Sequence, residues 1–212
     1  MLHIGMMFTA VSSATALAGS VFAKPWLHSE QPIHPALIDP LLLYRKASRL
    51  EEQGRLLDAE IFYTRALRAL QRSADCFWQR MSYNGRARVR RELGNHRGAI
   101  EDYTQAIECA DETQAIAMQY AMRAAFYNDC QDIQGAIDDY TQAIDLHPTF
   151  SAAYFQRGMA YLQLNQFAQA LADFRKLEQL DQQRGNSEAA SEARFYIEQV
   201  EELQHTARHR VG

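Results

Sequence analysis

Gly98-Ala99-Ile100-Glu101-Asp102-Tyr103-Thr104-Gln105-Ala106-Ile107-Glu108 returns further along the chain as Gly135-Ala136-Ile137-Asp138-Asp139-Tyr140-Thr141-Gln142-Ala143-Ile144-Asp145, with nine of eleven positions identical and two exchanging Glu for Asp. Looser copies run from Asp58 to Leu67 and from Gln169 to Leu177. Taking Ala59, Ala99, Ala136 and Ala170 as register marks, the steps are 40, 37 and 34 residues. Self-similarity at such a period means stacked supersecondary units, each burying its apolar face on the next.

Outward from that core the pattern stays helical. Each unit carries apolar and small residues at helical spacing on two segments parted by a short polar turn. The first unit spans Leu41 to Gln53, Gly54, then Leu56 to about Gln71. In the second, helices run from about Asp75 to Leu93 and, after Gly94-Asn95, to about Ala110. The third pairs Thr113–Cys130 with Ile133–Leu146, stopped by Pro148, and the fourth pairs a helix capped by Ser151 with one from Gln166 to about Asp181. The longer first two steps imply helices or loops lengthened after units one and two. A further segment from Ser187 to about Gln204, with Ala190, Ala193, Ile197, Val200 and Leu203 at helical spacing, reads as a closing helix, followed by a fraying tail from His205 to Gly212.

Composition bounds what such a stack can do. The chain has 212 residues, 47% of them hydrophobic, so it can bury a continuous core, and a net charge of −4 argues against a nucleic-acid binder. Cys76, Cys109 and Cys130 are too few and too scattered for a disulfide framework and read as small apolar fillers. His205 and His209 fall on one helical face, but no third ligand accompanies them. No Gly-rich phosphate loop or Gly-x-Ser-x-Gly elbow is present, and no motif calls for a catalytic residue, metal or cofactor. The acidic pairs Glu101-Asp102 and Asp138-Asp139 have the residue types for acid–base chemistry. The repeat gives a simpler account, because Arg86, Arg123 and Arg157 recur in step with Asp102, Asp139 and Asp173. One ion pair between the two helices of a unit, made three times, is expected, each exposed pair contributing about 0–1 kcal/mol.

Before the repeats, residues 4–23 carry no charge and end Val21-Phe22-Ala23 ahead of Lys24-Pro25. A cleaved signal peptide, an uncleaved membrane anchor with the repeats on the cytoplasmic side, and a mis-assigned start all fit this stretch. Export to a periplasm or lumen, or anchoring through residues 4–23, is the corresponding expectation for location. Leu17-Ala18-Gly19 is followed by Ser20 where a lipidated Cys would be needed. Residues 24–40 hold Pro25, Pro32, Pro35 and Pro40 and read as a linker.

The register of large, small and aromatic residues resembles the tetratricopeptide-repeat family. Unit four supplies Tyr154, Gly158, Tyr161, Asn165, Ala170 and Phe174 in the family's order, and unit three supplies Tyr120, Ala124, Tyr127, Ala136, Tyr140, Ala143 and Pro148. Unit two gives Tyr83, Ala87, Gly94, Ala99, Tyr103 and Ala106, with Arg90 where Tyr is usual, and unit one gives Leu43, Ala47, Leu50, Gly54, Ala59, Tyr63 and Ala66. The resemblance covers residues 41–182, as repeats at about 41–74, 77–113, 117–150 and 151–184, with 185–212 as capping helix and tail. It implies an all-α, right-handed solenoid of four helix-turn-helix units acting as a non-catalytic scaffold or adaptor. A membrane-associated assembly factor or accessory subunit of a photosynthetic or envelope complex is the alternative.

The same resemblance implies a concave groove lined by the first helix of each unit. Mapped residue by residue, the groove takes Tyr44 and Ser48, then Asn84, Arg88 and Arg91, then Met118, Ala121, Ala125 and Asn128, then Phe155, Met159 and Leu162. Asn84 and Arg88 match part of the carboxylate clamp of some family members, but Ala121 and Ala125 depart from it, so the clamp does not carry over. From Phe77 to Arg97 six arginines face one Glu, and from Gly98 to Leu146 ten acids face one Arg. Either a partner reads these opposed charges or neighbouring helices neutralise each other. With a groove basic at one end and apolar at the other, an acidic-then-apolar peptide is the expected protein partner.

Overall fold

Five turns of one design set the architecture. In the computed structural model, Gly54, Gly94, Gln131, Asn165 and Gly185 each take a positive φ of 57–76° just past a helix. At each, two backbone N–H groups fold back on the helix, as Gly54 N does to Glu51 O and Arg55 N to Leu50 O, satisfying carbonyls that the ended helix leaves free. The structure describes residues 39–71, 73 and 75–210, with side chains as far as residue 207. The signal-or-anchor stretch, nearly all of the linker, and His209 as a ligand lie outside the described residues.

Among the described residues there are nine helices and no strand. The units are α1 (Pro40–Glu52) with α2 (Leu56–Leu70), α3 (Cys76–Glu92) with α4 (His96–Glu108), α5 (Thr113–Asp129) with α6 (Ile133–Leu146), and α7 (Ser151–Gln163) with α8 (Phe167–Gln183). The closing helix is α9 (Ser187–Arg210). Side chains of Asp39, Asp75, Asn95 and Asp132 accept from the first-turn amides of α1, α3, α4 and α6. Pro40 opens α1 rather than ending the linker, since its missing N–H costs nothing at a first helical position. Ser151 is the first residue of α7, with Phe150 as its uncapped flank. The extra residues of the longer steps lengthen first helices: α3 and α5 have 17 residues where α1 and α7 have 13.

Within each unit the second helix lies against the first, and it also packs on the first helix of the next unit. Ala47, Ala59, Ala87, Ala99, Ala124, Ala136 and Ala170 are fully buried, so paired backbones come close. Tyr63, Tyr103, Tyr140 and Phe174 fill the seams, all buried, as their spacing implies. α9 closes the last seam with Ala190, Ala193, Ile197 and Val200. Leu203 is exposed instead of joining them, and Tyr196 stacks on Phe174 with ring centroids 5.5 Å apart. The helix also continues past Gln204 to Arg210.

Candidate partner-binding groove

The recurring arginine forms the frame that holds the first helices in line. Arg123 donates from Nε and Nη2 to the two carboxylate oxygens of Asp139 at 2.7 and 2.9 Å, and from Nη1 to Thr104 Oγ1 of the preceding unit at 2.9 Å. Arg86 makes the same set with Asp102 and Thr64, and Arg157 with Asp173 and Thr141. Thr104 and Thr141 in turn donate to Ile100 O and Ile137 O at 2.8 Å. The expected intra-unit pair is therefore also an inter-unit clamp. It is buried rather than exposed, because each Asp stands where the next helix covers it. Burial pushes the Asp173 carboxyl above its ordinary value in spite of Arg157. The threonine follows the seam aromatic in three units, Tyr63-Thr64, Tyr103-Thr104 and Tyr140-Thr141, a signal present in the sequence but not weighed there.

On this frame the mapped groove residues fall into two groups. At the N-terminal end Tyr44 packs against Tyr63 and Trp78, with ring centroids 5.7 and 5.2 Å away. Asn84 is 5% exposed, and its Oδ1 has no hydrogen-bond partner. Arg88 donates to both carboxylate oxygens of Glu51 at 2.9 and 3.1 Å, and the Tyr63 hydroxyl donates to the same Glu at 2.6 Å. Burial alone would lower the Arg88 guanidinium, yet the bonded Glu51 carboxylate holds it above its ordinary value. Arg91 reaches Asp129 of the next unit at 3.2 Å. Arg90, standing where Tyr is usual, bonds Glu60, Asp102 and the Gly98 carbonyl. The equivalent Tyr127 and Tyr161 instead place their rings beside Arg123 and Arg157. The arginine-rich stretch thus meets the acids of its neighbours, and the groove's basic end is largely matched internally.

The C-terminal end is open. Asn128 accepts from Gln163 at 3.1 Å across two units. Phe155 packs against Phe174 and Tyr196, and Met159 joins the same half-buried cluster. Between α7, α8 and α9 lies a cavity of about 340 Å³, floored by Phe155, Leu177, Ala193 and Tyr196 and edged by Asp181 and Glu192. A second, of about 390 Å³, lies between Met118, Phe150, His147 and Arg184, and Ser151 and Ala152 border both. Volumes of this order accept one or two side chains. Tyr196, on the closing helix, and Gly85 were not singled out by sequence. An added Cβ at Gly85 would stand 2.4 Å from the Tyr63 ring. No group of three or more metal-ligating side chains occurs among the described residues. All three cysteines are free.

Residues 40–112 and 139–172 match family models described as tetratricopeptide repeat. None of the curated proteins matches the sequence. Among solved structures, MamA is similar at 16% identity over 79% of this chain and 94% of its own, with a TM-score of 0.53. A tetratricopeptide-repeat protein from Parabacteroides merdae is 21% identical over 78% and 67%, at 0.55. YrrB, described as a tetratricopeptide-repeat protein with an unusual peptide-binding site, is 18% identical over 81% and 91%, at 0.51. At these identities the likeness is one of fold.

Proposed function

Because the chain belongs to the tetratricopeptide-repeat family, whose members serve as protein–protein interaction scaffolds, we propose that it holds an extended segment of a partner protein along the row of first helices and catalyses nothing itself. The observation that carries the reading is the open pair of cavities either side of Ala152, in a row whose arginines Arg88 and Arg91 are already paired within the chain. Arg88 and Arg91 each have a carboxylate already, so an acidic ligand would have to displace Glu51 or Asp129. Exposed Glu192 beside an apolar cavity suits a segment with a large apolar side chain next to a basic one, Asp181 being buried and already beside Arg184 at 3.9 Å.

A photo-crosslinking side chain placed at Ala152 in the full chain tests this. Adducts to one protein from native extract, lost when Ala189→Trp fills the adjoining cavity and absent from the same probe at exposed Arg68, are the expected result. Equal labelling from both sites would remove the groove reading. The membrane-associated assembly role rests on the uncharged residues 4–23, since no helix among the described residues is long and apolar enough to cross a membrane. Recovery of those residues intact in the membrane fraction supports that role, and their removal in the mature protein ends it.

A further inference from the structure

Each unit after the first buries one face of its opening helix on the unit before it. In α3 that face is Ser82, Gly85 and Val89; in α5 it is Gln119, Met122 and Phe126; in α7 it includes Ala153 and Ala160. The same register in α1 gives Leu42, Arg45 and Arg49, all exposed, Leu42 by 61%. Where later units have the Arg–Asp pair, this unit has Lys46 over the Phe62 ring at 4.3 Å, with Arg65 on the same ring. Leu57 and Ile61 stand exposed beside it on α2. Three of the carboxylates near this end are used elsewhere, Glu51 on Arg88, Glu60 on Arg90 and Asp58 on Arg55, leaving the exposed Glu52 as the acid on the same stripe as Arg45 and Arg49. Among the described residues, Arg45, Lys46, Arg49, Arg65 and Arg68 have no ion pair.

The opposite end has the opposite character. α9 spends Ala190, Ala193, Ile197 and Val200 on the seam with α8, and at helical spacing on its far side stand Glu188, Phe195, Glu198 and Glu202, all exposed, Phe195 by 57%. Arg194 and Glu201 pair with Glu178 and Arg175 of α8, so neither is spent on the outward acids. One end is thus cationic around Leu42, Leu57 and Ile61, and the other anionic around Phe195.

We infer that the two ends are complementary surfaces and that the occupant of each is a second copy of this chain, docked α9 onto α1–α2. The groove is not involved, so the contact is compatible with a bound partner. Because the joined surfaces differ, each added copy presents a fresh end, and the assembly grows as a filament or closes as a ring instead of stopping at a symmetric dimer. A contact dominated by exposed charges is salt-sensitive.

Sedimentation velocity on the full chain tests the idea, over about 1 to 100 µM protein and at about 0.05 and 0.5 M salt. Reversible growth that weakens with salt is expected. Reversing either end, as Arg45→Glu with Arg49→Glu or Glu198→Arg with Glu202→Arg, leaves each variant monomeric with an unchanged helical signal. An equimolar mixture of the two associates again, through the intact head and intact tail and, with both charges swapped, through the reversed pair of ends. A monomeric native chain overturns the proposal, as does growth that survives either reversal, which would assign association to another surface, or a mixture that stays monomeric. Binding of the native chain, but not the Arg45→Glu, Arg49→Glu variant, to phosphatidylserine vesicles while it remains monomeric would assign the basic end to lipid and also overturn it.

Discussion

Three aspartates in one register have unequal duties. Asp139 and Asp173 each take one arginine, whereas Asp102 takes two, Arg86 at 2.6 and 2.9 Å and Arg90 at 3.0 Å. It is 2% exposed, so removing its charge leaves the half-buried Arg86 guanidinium without a carboxylate and Arg90 with Glu60 alone. Asp102→Asn should lower unfolding free energy by about 3 to 5 kcal/mol, and Asp139→Asn by about 1 kcal/mol less. Urea denaturation measures both, and equal losses would mean that the Arg90 bond contributes nothing. The buried phenols make a second residue-scale prediction. Burial pushes Tyr140 up to about 12, and it raises Tyr63 and Tyr103 as well. A group whose pKa is higher folded than unfolded gives stability that is fully present below the unfolded value and lost as pH rises through the folded one. The melting temperature should therefore fall steeply above about pH 10, where unfolded phenols ionise and buried ones resist. Tyr140→Phe should blunt that fall while leaving the melting temperature near pH 7 almost unchanged.

At the scale of the element, the turns and the tight seams decide which substitutions matter. Gln131 occupies a left-handed position, φ 63°, that glycine fills at Gly54, Gly94 and Gly185. Gln131→Gly should raise stability by about 0.5 to 1 kcal/mol, since the relieved Cβ strain exceeds the added unfolded-state entropy. Gly85→Ala should act the other way. Its methyl would enter the Tyr63 ring, which Glu51 tethers, and chemical denaturation should show a loss of about 2 kcal/mol or more. The helices themselves were legible because period, caps and turn glycines all agree along the chain. Seam aromatics were legible for the same reason. Gly85 was not, because the need for a missing Cβ comes from a ring 22 residues earlier, and no local pattern announces it. Tyr196 and Leu203 are both apolar at nearby phases of α9, and only the position of Phe174 selects the first. The arginine run showed its charge but not its partners, since Glu51, Glu60 and Asp129 are supplied by other units.

For the whole molecule, a stack is a chain of nearest-neighbour couplings, and its seams need not be equal. The seam between α4 and α5 brings together fewer residues than those between α2 and α3 or between α6 and α7. It is held by the Tyr103–Phe126 contact, the Arg123–Thr104 bond and the exposed Arg91–Asp129 pair. Residues 40–108 and 113–210 should accordingly open as two cooperative units under native conditions, parted at the loop between them. The second should be the more protected, since α9 covers its last seam while α1 has an open face. Native-state hydrogen exchange reads this directly, because amides of α7 and α8 should merge into one isotherm in denaturant, and those of α1 and α2 into another at lower free energy. Adding salt should move the first unit toward earlier opening, as the Arg91–Asp129 pair is solvent-exposed and screened. A single isotherm for all helices would show that the thin seam transmits as strongly as the thick ones, and that the chain folds as one body despite its repeats.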